Sequence, residues 1–168
     1  SKLDLIIFLE FEEHFNLDIL CGENTMWKNV VYRKLRSQHL FENEAHLSRF
    51  KELLDCYADA SFFTTGLCKC MYLSCWDDEH FAIMLDMLNQ LKLKDHMTLT
   101  DMNENGKLMA EEMPDGDYEA TIMQLSCDFL SGTPFDITSL PENFNPDGRH
   151  IIEQALKAAA VIDSVPIK

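Results

Sequence analysis

Residues 101–112 read DMNENGKLMAEE, and whether they turn the chain or run through it decides the architecture of the C-terminal half. NENG (103–106) has the composition of a type I turn closed by a left-handed glycine, a common connection in a β-hairpin. On either side stand MTLTDM (97–102) and KLMAEE (107–112), two runs of equal length, the first with β-branched alternation. The spacing predicts one small β-hairpin near 97–112.

The same letters carry a second reading. Asp101, Asn103 and Asn105 fall at positions one, three and five of a twelve-residue loop, with Gly106 at the turn, the Lys107 carbonyl at seven and Glu112 at twelve. Calcium takes six or more oxygens, and this order of donors supplies them, so the loop resembles an EF-hand locally. The flanks oppose it. Pro114, Asp115 and Gly116 stop any exiting helix within a turn, and the entering side looks like a strand. The hairpin is the reading taken, with calcium the alternative cofactor and none expected otherwise.

Outside this stretch the grammar is helical. Residues 2–20 are apolar on almost every face, which predicts a buried helix ended by Gly22. A second helix begins near Thr25 with Trp27, Val30, Val31 and Leu35. Asn43 caps a third, in which Leu47, Phe50, Leu54 and Tyr57 recur at helical spacing. Gly66 breaks into a fourth over roughly 61–75, and Asp77 caps a fifth bearing Phe81, Met84, Leu85, Leu88 and Leu91. A further helix is expected over about Asp117–Leu130, closed by Gly132, and a last one over RHIIEQALKAAAVI (149–162), with an extended loop over 133–147. MPDG (113–116) and NPDG (145–148) complete a set of three turns with NENG. No linker or repeat divides the chain. The expectation is a mostly α, single-domain helical bundle of about six to seven helices over 1–168, with one small hairpin.

Charge narrows the class of partner. The net charge is −15, and Asp95 to Asp147 holds twelve acidic residues against the single base Lys107. Phosphate contacts need Lys and Arg, so a nucleic-acid partner is not expected. Nor is a membrane, since no apolar run approaches the ~20 residues that span one. A field of this sign steers a basic protein toward the C-terminal half, with Asp115, Asp117 and Glu119 the proposed contact residues. Lys28, Arg33, Lys34 and Arg36 form a basic cluster expected to pair with the acidic half or to be solvated.

Other constellations weigh less. Six cysteines lie mostly in apolar runs, where a free thiol packs as a small hydrophobe, and the first residues lack a secretion signal. Together these predict reduced thiols and a cytoplasmic setting. Cys68, Cys70, Cys75 and His80 could be offered to zinc, but two cysteines one residue apart on a helix point about 200° apart. Glu10 and His14, one turn apart, could do acid–base work, with no nucleophile or phosphate loop beside them. The functional expectation is a non-enzymatic, acidic protein-binding module, of the inhibitor or immunity type, that covers a basic surface. A calcium-binding protein is the alternative, and an enzyme using Glu10–His14 the third.

Overall fold

The computed structural model describes residues 24–93, 97–114 and 116–166. Among them are seven α-helices: α1 (Asn24–Ser37), α2 (Glu44–Tyr57), α3 (Thr65–Ser74), α4 (Asp78–Lys92), α5 (Leu99–Glu112), α6 (Tyr118–Ser131) and α7 (Pro146–Ser164). A 3-10 turn, Ile137–Ser139, interrupts the loop before α7. The described residues contain no strand. The expected helix over 2–20, with its Glu10–His14 pair, lies outside the described residues.

Local chemistry sets most of the boundaries. The Asn43 side chain accepts from the His46 N–H at 2.8 Å, Thr64 from Leu67 at 3.0 Å and Asp77 from His80 at 2.8 Å, each satisfying an orphan donor of a first turn. Gly132 closes α6 in the left-handed conformation, φ 73°. α1 ends without a glycine. His39 takes φ 55° there, and the Leu40 N–H returns to the Leu35 carbonyl at 3.1 Å. Lys34 and Arg36 complement the dipole in that last turn.

The expected hairpin is corrected: residues 99–112 are helix. MTLT is a cap rather than a strand. Thr98 Oγ1 accepts from the Asp101 N–H at 3.1 Å while Asp101 Oδ2 accepts from the Thr98 N–H at 3.0 Å, a reciprocal capping box. Gly106 is buried in mid-helix, where an added Cβ would stand 2.9 Å from Cys127 Sγ of α6. Its role is close helix approach, not a turn. NPDG is likewise a helix start, with Asn145 as cap, accepting from Asp147 and Gly148, and Pro146 at the first helical position. Of the three turns, MPDG alone carries the left-handed glycine, Gly116 at φ 85°. Gly66 does not break a helix; it lies inside α3, which starts at Thr65.

α3 is the axis around which the rest is arranged. Seven of its ten residues are buried (Gly66, Leu67, Cys68, Cys70, Met71, Tyr72 and Leu73), so every face meets a neighbour. α2, α4, α6 and α7 pack against it, whereas α5 packs chiefly on α6. One hydrophobic cluster runs through all seven helices, from Trp27 and Phe50 through Met84, Met102 and Leu125 to Ile152. Long-range hydrogen bonds tie its edges: the Trp27 indole N–H donates to the Val165 carbonyl at 2.9 Å, and the Tyr72 hydroxyl donates to the Leu40 carbonyl.

Candidate functional site: a methionine-lined cleft with an acidic mouth

α4 leans on α3, and α5 leans on α6, but α4 and α5 do not pack closely on each other. The space between them is a cleft of about 140 Å³. Apolar voids of about this size, ~150 Å³, stay dry and hold one benzene ring. The floor is buried: Cys70 and Leu73 of α3, Met84 of α4, Met102 and Gly106 of α5, and Cys127 of α6. Met87, Met113, Ile122 and Met123 stand partly exposed along the walls. Five of the nine methionines of the chain line this one cleft. Three of its polar lining groups are already engaged. Ser74 donates to the Met71 carbonyl at 2.9 Å, Ser126 to Ile122 at 3.1 Å, and the Cys70 thiol to Ser126 at 3.2 Å. The rest of the lining is mostly hydrocarbon and thioether, with the Trp76 and Tyr118 side chains among it.

Asp77, Ile83 and Glu119 are the exposed members of the lining and form its mouth. Burial opposes ionisation of Asp77, but hydrogen bonds from the His80 backbone and ring and the charge of Arg49 outweigh it and hold its carboxyl below the usual range. The His80 ring lies 2.7 and 2.8 Å from the two carboxylate oxygens. Arg49 of α2 anchors the same corner, donating to Asp78 Oδ1 at 2.7 Å and to the carbonyls of Cys75 and Trp76. The α3–α4 turn is thereby held from outside the cleft.

The residues singled out by sequence are distributed as follows. Glu119 sits at the mouth of the cleft. Asp117 caps α6, its carboxylate accepting from the Glu119 N–H at 3.0 Å, and borders a second, open groove of about 700 Å³ between α5, α6 and the 133–145 loop. The two thus stand on neighbouring concavities, and Asp115 lies outside the described residues. Asp101, Asn103, Asn105, Lys107 and Glu112 are spread along one helix instead of encircling a loop. Asp101 and Glu112 are eleven residues apart, about 16 Å at ~1.5 Å per residue, and cannot reach one ion.

Cys68, Cys70 and Cys75 are buried, and burial pushes their thiols up, that of Cys75 to about 12. All five described cysteines are free. Among the described residues, no three His, Cys, Asp or Glu side chains are placed to hold a metal ion. In the basic cluster, Lys28 is buried and pairs with Asp55 of α2 at 3.6 Å, not with the acidic half. No described helix is long and apolar enough to cross a membrane.

Sequence reasoning missed the cleft. Its one legible signal was the crowding of methionine between residues 84 and 123, which reads equally as core. Comparison with protein-family models, curated proteins and solved structures gave no match.

Proposed function

We propose that the protein is a non-enzymatic helical binding module that covers a basic surface of a partner protein, with Asp115, Asp117 and Glu119 among the contacting carboxylates. The observation that carries this reading is the α5–α6 edge. Between residues 97 and 131 stand eight acidic residues and one base, on a helix pair that covers the core from one side. Carboxylates placed so steer encounter with a cationic surface and repel nucleic acid. Among the described residues five free thiols, four of them buried, fit a reducing, cytoplasmic compartment.

The test uses the partner recovered with the protein from its native cell. Association is expected to be fast at low salt and to slow steeply as salt rises, because exposed charges are screened within about 8 Å at physiological ionic strength. Changing Asp115→Asn, Asp117→Asn and Glu119→Gln together should lower the on-rate at least several-fold. Asn at 117 keeps a capping side chain, so the fold is retained. A flat salt dependence would refute the proposal.

A further inference from the structure

We propose that the cleft between α4 and the α5–α6 pair seats one apolar side chain of an amphipathic helix whose adjoining face carries Lys or Arg. The inference rests on the basic-partner reading and names the element of the partner that is recognised. Volume gives the anchor. About 140 Å³ takes one aromatic ring or one long aliphatic side chain and not a folded surface. Lining gives the chemistry: five methionines with flexible thioether side chains fit an apolar anchor closely without demanding one shape, as they do at other helix-binding grooves. Ser74, Ser126 and the Cys70 thiol of the lining already donate to backbone carbonyls, so these groups offer an incoming hydroxyl or amide little to bond.

Charge gives the flank. Asp77 and Glu119 stand at the mouth, and α5 adds four carboxylates against Lys107 alone. A helix whose anchor enters between them places residues three and four positions away over the acidic margin, where Lys and Arg gain and Asp and Glu are repelled. A helix suits walls that are themselves helices, and among the described residues there is no strand edge to pair an extended peptide.

The probe is a synthetic amphipathic peptide with Leu and Trp on one face and Lys on the other, titrated into the full 168-residue chain. Its control has the same composition scrambled so that no apolar face remains. Methyl resonances of the nine methionines report the location directly. Those of Met84, Met87, Met102, Met113 and Met123 are expected to move, while those of Met26 and Met71, outside the lining, stay put. Affinity should fall at least tenfold for the scrambled peptide and, in the protein, for Met87→Lys or Ile83→Lys. Both positions are solvent-accessible, so the fold tolerates the change, and Met87→Leu should bind as the wild type does.

Cleft methyl shifts with salt-sensitive affinity support the proposal. Salt-sensitive binding that ignores scrambling and leaves the cleft methyls unmoved overturns it while leaving the acidic-face reading in place. Cleft shifts with salt-independent affinity overturn its basic flank and count against that reading too. No binding of the peptide at millimolar concentration overturns the inference alone.

Discussion

Gly66→Ala is expected to destabilise the protein by about 3 kcal/mol or more, although the substitution lies inside a helix, where alanine normally gains up to ~1 kcal/mol over glycine. The cause is the crossing of α3 over α6. A Cβ at position 66 would fall well inside contact distance of the Phe129 carbonyl oxygen, 3.2 Å from its carbon and 3.3 Å from Leu130 Cα. These are backbone atoms of α6, so no rotamer change relieves the clash, and α6 must be pushed off the central helix. Gly106→Ala makes the contrast. Its nearest obstacle is the Cys127 thiol, which can rotate, so overpacking and helix propensity nearly offset each other and a change within about 1 kcal/mol follows. Urea denaturation of both variants measures the pair. A Gly66→Ala protein as stable as the wild type would show that the α3–α6 crossing is looser than described.

Lowering the pH from 7 to 4 is expected to remove about 3 kcal/mol of stability through His46 alone. His46 is fully buried, ringed by Phe41, Tyr72 and Trp76 at centroid separations of 5.3, 4.6 and 4.8 Å. Its Nδ1 accepts from the Glu42 N–H at 3.1 Å, which leaves Nε2–H to donate to the Tyr72 carbonyl at 2.9 Å. Both backbone partners therefore select the neutral ring, since a second proton would face the Glu42 N–H donor. Burial pushes its pKa down from 6.5 to about 4, the Arg49 charge adding to this, against smaller opposing effects of the Tyr72 carbonyl and Glu42.

Between those two values the unfolded chain holds a proton that the folded chain lacks. Stability is then complete above 6.5 and falls by about 1.4 kcal/mol per pH unit as the pH drops toward 4. Asp77, held low, contributes in a separate window: its share is present above its unfolded value and is lost only as the pH falls through its depressed folded one. His46→Gln should flatten the profile between pH 6.5 and 4. A wild-type melting temperature that is constant from pH 7 to 5 would contradict the assignment.

Helix ends were legible in the sequence because a cap is a local contract between a side chain and donors two or three residues away. Asn43, Asp77 and Gly132 were each readable as such and each caps a helix, and Asp117, read as a helix start, proves to be its cap. Residues 97–112 were misread for the opposite reason. The purpose of Gly106 is set by Cys127, twenty-one residues away, and TLTD spells a capping box as well as it spells a strand. Once NENG was taken for a turn, the calcium alternative followed from the same letters. The cleft was illegible on principle. It exists because α4 and α5 reach the core through different neighbours, and no periodicity within either helix records a gap between them.

That arrangement leaves α5 with the fewest buried residues of the described helices. Of its fourteen residues only Met102 and Gly106 are buried, against seven of ten in α3, and its packing is almost entirely onto α6. Elements with so few buried contacts open first, at a fraction of the global unfolding free energy, so the amides of α5 should exchange with deuterium well before those of α3. The wall of the cleft formed by α5 can thus swing outward without disturbing the central helix, on which it does not pack closely. Its width is therefore a property of the occupant as much as of the empty protein. An anchor bulkier than a single ring would be met by a hinge rather than by a collision.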